Sequence, residues 1–153
     1  MDLILWRHAD AEEWIEGNDD LERVLTPRGQ KQALRMSGWL DRQLPDGTRI
    51  LCSPARRCEQ TAHALGRKFK VRSELGPTGS VEQLLEVAQW PGSKQAVLVI
   101  GHQPVLGETI ARLLPFKFEA CPVRKGAVWW LRTRERDGEQ QTVVTAVQSP
   151  DTL

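Results

Sequence analysis

The sequence contains no tyrosine, which removes the phenol as nucleophile, acid or base and leaves His8, His63 and His102 as the side chains that ordinarily titrate near neutrality. Cysteine is scarce. Cys52, Cys58 and Cys121 are odd in number and match no paired zinc spacing, so reduced, buried thiols are expected and a disulfide framework is not. No apolar run reaches the ~18 residues of a membrane span. Met1-Asp2-Leu3-Ile4-Leu5-Trp6 has neither the basic leader nor the long apolar core of a secretion signal, so a cytoplasmic protein is expected. Charge of one sign is not in excess either. Lys plus Arg number 21 against 20 Asp plus Glu, a net charge of +1 that creates no general field for nucleic acid or an anionic membrane. Neither is expected as a partner, and any anion must be held by local geometry. No repeat, low-complexity tract or Ser/Gly linker divides the chain, so residues 1–153 are read as one domain.

What is present is alternation. The apolar runs Leu3–Trp6, Ile50–Cys52 and Val97–Ile100 lack the polar alternation of a one-faced strand and read as strands buried on both sides. Such strands need helices above and below, and the intervening segments provide them. Thr26-Pro27 places a capping hydroxyl before a proline at the first helical position, ahead of Ala33, Met36, Leu40 and Leu44 at helical spacing. Cys58, Ala62, Leu65 and Phe69 repeat that period after Pro54. Ser80 and Gln83 form a capping box before Val81, Leu84, Leu85 and Ala88. Pro104 opens a further run with Leu106, Ile110, Leu113 and Leu114, ended by Pro115. Ala127–Thr133 and Thr142–Val147 flank Asp137-Gly138 and predict an antiparallel hairpin with a longish loop, its Trp129 and Trp130 facing opposite sides of one strand. The expected fold is a three-layer α/β sandwich with a mainly parallel central sheet and an antiparallel C-terminal hairpin.

Ligands of open parallel sheets bind beyond the carboxyl ends of the strands. Leu3–Trp6 runs into Arg7-His8, Ile50–Cys52 into Ser53-Pro54-Ala55-Arg56-Arg57, and Val97–Ile100 into Gly101-His102. A single histidine at a strand exit is ordinarily a hydrogen-bonded structural residue. Three exits that all end in cationic or imidazole groups point to one crevice for a small anion such as a phosphoryl group, which arginine grips through its planar fork.

Arg7-His8-Ala9, Ser53-Pro54-Ala55-Arg56-Arg57-Cys58-Glu59-Gln60-Thr61 and Gly101-His102-Gln103-Pro104 resemble the Arg-His-Gly, Ser-Pro-x-x-Arg-Ala-x-Gln-Thr and Gly-His-x-Pro signatures of the histidine phosphatase superfamily. Arg23-Val24-Leu25-Thr26-Pro27-Arg28-Gly29 resembles its Arg-x-Leu-Thr-x-x-Gly segment. The short stretch between Glu74 and Val97, where larger relatives insert a subdomain, makes the chain most similar to the small bacterial SixA-type members, with a phosphoglycerate mutase-like fold. The resemblance implies that His8 is the nucleophile of a phosphohistidine intermediate, that Arg7, Arg57 and His102 contact the phosphoryl group, and that Arg23 is a further substrate contact. It selects Arg57 over the adjacent Arg56, read as a rim residue. It implies neither metal nor cofactor, and as partner a phosphorylated protein of the histidine-containing phosphotransfer type or a small phosphorylated substrate.

Two departures from the pattern bear on chemistry. Ala9 replaces the glycine after the nucleophile, and its Cβ is expected to crowd phosphate or resist a positive φ. No clear general acid appears between Glu74 and Val97, where Glu74 and Glu82 are only nominal candidates. A weak acid favours phosphohistidine, whose imidazole leaves with a conjugate-acid pKa of about 6.5, over ordinary esters. A small-molecule phosphomonoester phosphatase and a non-catalytic phosphate-binding module remain as alternatives. A Cys52 nucleophile is a weaker one, because its spacing from Arg57 is one residue short of a cysteine-phosphatase loop. Arg23 also reads as a surface partner of Asp19 or Asp20, His63 as a solvated helical residue, and the acidic stretch Asp10–Glu22 as a loop that could frame the pocket mouth.

Overall fold

The computed structural model describes every residue from Met1 to Leu153. Three apolar runs form the centre of its sheet as β1 (Asp2–Arg7), β2 (Arg49–Cys52) and β4 (Val97–Gly101), joined by a two-residue strand, β3 (Lys70–Val71). The hairpin adds β5 (Val128–Arg136) and β6 (Glu139–Gln148). The strand order is β3-β2-β4-β1-β5-β6, with the first four parallel and β5 and β6 antiparallel. This is the expected three-layer α/β architecture.

Alternate residues of the central strands enter different cores, which explains why the runs are apolar throughout. Leu3, Leu5, Leu51, Val97 and Val99 pack with Leu84, Leu106 and Ile110 on one face. Ile4, Trp6, Ile50, Cys52, Leu98 and Ile100 pack with Met36, Leu40 and Cys58 on the other. Each fully buried Leu or Ile stabilises the fold by about 1.5–3 kcal/mol relative to exposure.

The helices are α1 (Pro27–Gln43), α2 (Arg56–His63), α3 (Val81–Val87) and α4 (Val105–Leu113). Thr26 Oγ1 accepts the Gly29 N–H and caps α1, while Ser80 and Gln83 form both halves of the capping box on α3. The period after Pro54 predicts helix as far as Phe69, but α2 stops at His63. Gly66 has φ +73°, a left-handed turn that ends the helix and sends the chain into β3. Leu65 and Phe69 still reach the α1/α2 core, from the loop instead of the helix.

The hairpin connection is also tighter than expected. Asp137 and Gly138, with φ of 53° and 79°, alone link β5 and β6. The two positive φ values suit the right-handed twist of the flanking strands. Their outer ends are polar on both sides, so no apolar alternation marks them as strand. Trp129 and Trp130 do face opposite cores, and Trp130 meets Trp39 edge to face. No helix is long and apolar enough to cross a membrane.

Candidate active site

Strand register brings the two motif histidines together. Arg7 pairs with Gly101 across β1 and β4, so the next residues, His8 and His102, leave the sheet side by side. The His8 N–H donates to the Gly101 carbonyl (3.1 Å), and the two ring centroids are 5.3 Å apart. In the other direction Cys52 pairs with Ile100, and Ser53 emerges beside His102. His8, His102 and Arg57 are only 6%, 5% and 3% exposed.

His8 has its tautomer set by the main chain. Its Nδ1 lies 2.7 Å from the Ala9 carbonyl oxygen, which can only accept, so Nδ1 carries the proton and Nε2 has a free lone pair. Burial, opposed by that hydrogen bond and reinforced by the charges of Arg57, Arg7 and Arg23, pushes the His8 pKa down to about 3. The imidazole is therefore neutral at pH 7, as a nucleophile must be.

The loop after His8 is fixed by the motif residues downstream. Thr61 Oγ1 accepts the Ala9 N–H (3.1 Å) and donates to the Arg57 carbonyl (2.7 Å), while Gln60 Oε1 accepts the Leu25 N–H (2.7 Å). Ala9 does not adopt the positive φ anticipated for the glycine it replaces. Its side chain is wholly buried with Ala11, Leu25 and Ala33, and the expected backbone conflict does not arise. The glycine that this loop does require is Gly29, at the start of α1, where a Cβ would fall 1.9 Å from the Asp10 carbonyl oxygen.

Arg7 and Arg57 supply the cationic walls. Arg7 Nη1 donates to the Val123 carbonyl (2.9 Å). Arg57 Nη1 donates to the Asp20 carbonyl (2.8 Å) and Nη2 to Asp20 Oδ2 (3.1 Å). The Nε atoms of both arginines are shielded from solvent and have no hydrogen-bond partner. A buried donor without a partner costs about 1–3 kcal/mol, so a site that keeps two of them is suited to a ligand that accepts from both.

His102 is also neutral. Burial, then the neighbouring His8 and Arg57, lower its pKa to about 3, against the opposing charge of Asp20. Its Nδ1 is 3.4 Å from Arg57 Nη2, a donor, and its Nε2 is 2.7 Å from Ser53 Oγ. Nδ1 is therefore the acceptor here, and Nε2–H donates to Ser53. The Ser53 hydroxyl can reverse that bond, which frees a Nδ1–H for a bound oxyanion. Cys58 Sγ, 3.5 Å from the same Nε2, lines this side of the ring.

Residues 3–78 match the family model of the histidine phosphatase superfamily, branch 1. The phosphohistidine phosphatase SixA homolog of Haemophilus influenzae is 34% identical over 129 residues, covering 74% of this chain and 77% of that protein. The chain belongs to the histidine phosphatase superfamily. Phosphohistidine phosphatase SixA of Escherichia coli is 32% identical over 123 residues, covering 75% of each chain. The solved structure of the protein histidine phosphatase SixA complexed with tungstate matches with TM-score 0.78, 28% identity and 99% coverage of both chains.

The remaining motif residues separate clearly. Arg23 lies close enough to act on His8 electrostatically, and it also forms the surface pair, its Nε donating to Asp20 Oδ1 (2.9 Å). Arg56 is exposed and reaches only Glu22, at 3.7 Å. His63 is exposed and packs against Phe69. Neither nominal acid joins the site. Glu74 is paired with Arg72 (2.7 Å) and Glu82 with Arg112 (2.6 Å), and those hydrogen bonds lower both pKa values, the wrong direction for a proton donor. Burial raises the Cys52 and Cys58 pKa values, so neither is a ready thiolate. No three His, Cys, Asp or Glu side chains cluster so as to hold a metal. Asp20 is the residue sequence reasoning passed over in this role. Its signals were its place in the acidic stretch after His8 and its reading as a candidate surface partner of Arg23, neither of which pointed to Arg57.

Proposed function

We propose that the protein is a phosphohistidine phosphatase that acts through a phosphohistidine formed on His8. The substrate imidazole takes a proton from solvent on its other nitrogen, His8 Nε2 attacks phosphorus in line, and the P–N bond breaks to release neutral imidazole. Water then attacks the same phosphorus, the P–Nε2 bond breaks, and orthophosphate leaves with His8 neutral again. Arg7, Arg57 and His102, with Arg23 at the mouth, stabilise the charge on the equatorial oxygens. The observation that carries this reading is the pair of shielded, unpartnered Nε donors beside an imidazole whose Nδ1 is already occupied.

The choice of phosphohistidine over ordinary esters rests on leaving-group chemistry. An alkoxide needs a general acid, and the carboxylate nearest the arginines cannot serve as one. Burial favours its protonation, but the hydrogen bond from Arg23 and the charge of Arg57 outweigh that and lower the Asp20 pKa. Imidazole leaves with far less help. The names of the Haemophilus and Escherichia relatives agree with this choice. An open groove of about 330 Å³ beside Arg7, lined by Arg28, Arg124 and Lys125 and by no apolar residue, suits the polar surface of a phosphorylated protein. We place such a partner, of the histidine-containing phosphotransfer type, in a cytoplasmic signalling pathway.

The test compares turnover of a phosphohistidine peptide with that of a simple alkyl phosphate, with His8→Ala as the blank. The expected preference for the peptide is at least about 100-fold in kcat/KM, the scale of a missing general acid. A preference for the ester would assign the site to small-molecule phosphomonoesters. Phosphate binding without turnover of either would make it a recognition module.

A further inference from the structure

One exposed acidic turn supplies the outer partners of both mouth arginines. Within the single turn Asp20–Glu22, the Asp20 carbonyl accepts from Arg57 Nη1 (2.8 Å), Oδ2 from Arg57 Nη2 (3.1 Å), and Oδ1 from Arg23 Nε (2.9 Å). Asp19 fixes the turn, its Oδ1 accepting the Leu21 N–H at 3.0 Å. A guanidinium offers an Nη1/Nη2 fork and an Nε side. On Arg57 Asp20 takes the fork, and the atom left over is the buried Nε that has no partner. On Arg23 Nε goes to Asp20 and Nη1 to the Glu12 carbonyl (2.7 Å), with Nη2 left over.

We propose that Asp20 is a positioning residue for phosphoryl transfer. By holding the Arg57 fork and the Arg23 Nε in one bridge, it determines which donor of each arginine meets the phosphoryl group. This rests on the phosphatase reading above. The arrangement has a built-in opposition, because the carboxylate that aligns the donors also repels the oxyanion they bind. Ground-state binding of an oxyanion is limited by that repulsion, whereas transfer needs the donors aligned on the equatorial oxygens. Removal of the charge with the shape kept therefore strengthens the first and slows the second. A residue that served only to fold the turn would weaken both.

The experiment measures kcat and KM for a phosphohistidine peptide and the inhibition constant of tungstate, a tetrahedral oxyanion, for wild type, Asp20→Asn and Asp20→Glu at one ionic strength. For Asp20→Asn we expect tungstate to bind about 3- to 10-fold more tightly and kcat to fall about 10-fold or more. Asp20→Glu, which keeps the charge, is expected to retain wild-type tungstate affinity and recover part of kcat. Unchanged kcat in Asp20→Asn would overturn the proposal and leave Asp20 a passive counter-ion. Parallel loss of tungstate binding and kcat would also overturn it, in favour of a purely structural turn. A wild-type protein that does not hydrolyse the peptide would instead defeat the phosphatase reading.

Discussion

Acidification is expected to destabilise this protein well before its carboxylates titrate, because two imidazoles are buried in the neutral form. In the unfolded chain a histidine ionises near pH 6.5, whereas His8 and His102 are held down to about 3 in the fold. Above the unfolded value neither state takes up a proton at these residues, and stability is flat. Between the two values the unfolded chain binds protons that the native site does not, so the native state loses about 1.4 kcal/mol per pH unit for each histidine. At about pH 5.0 the interval is roughly 1.5 units, which gives about 2 kcal/mol per residue and about 4 kcal/mol for the pair. That is a large share of the 5–15 kcal/mol typical of a domain. Urea unfolding followed by tryptophan fluorescence at several pH values between about 7.5 and 5.0, at constant ionic strength, measures it. His8→Gln and His102→Gln should each remove about half of the slope. A flat profile, a slope that survives both substitutions, or imidazole nitrogen shifts with midpoints near 6.5 would show that the two imidazoles are not held neutral by the fold.

Arg57→Lys keeps the charge but loses the planar fork and the shielded Nε–H, and we expect kcat to fall by about 100- to 1000-fold in steady-state assays. Ser53→Ala removes the hydroxyl that lets His102 change tautomer (2.7 Å contact). Its expected effect is roughly 10-fold weaker tungstate inhibition together with a loss of about 1–3 kcal/mol of stability, because the Ala55 N–H also loses its acceptor, and an unaltered inhibition constant would contradict the assigned role. Gly29→Ala places a Cβ against the Asp10 carbonyl and should destabilise the fold by at least about 1–3 kcal/mol in urea titration, with activity reduced through the displaced His8 loop.

Much of this site was legible because each strand exit carries its chemistry in consecutive residues. Arg7-His8, Ser53 and Gly101-His102 follow apolar runs whose two-sided burial leaves little freedom of register, so adjacency in the sheet follows from the pattern. The end of α2 was not legible, since Leu65 and Phe69 keep helical spacing and yet reach the core from a loop turned by Gly66. Two-residue β3 is too short to carry any periodicity. Of the two expectations for Ala9, the positive φ does not apply, because a family glycine need not mark one; in this loop the close backbone approach is met by Gly29. Asp20 was the harder case. The sequence offers Asp19 or Asp20 as the partner of Arg23, and Asp20 takes that bond, but nothing in an acidic run shows that the same residue also holds Arg57, which is distant in the chain.

In the proposed reaction the free Nε2 of His8 is the atom that bonds to phosphorus. Rapid mixing with a phosphohistidine peptide, alkaline quench, and phosphorus NMR with mass spectrometry of the labelled fragment test it directly. The expected product is an acid-labile, base-stable phosphate on His8, attached at Nε2 because Nδ1 is committed to the Ala9 carbonyl. A label at Nδ1, on His102 or on a cysteine, or turnover that survives His8→Ala, would contradict it.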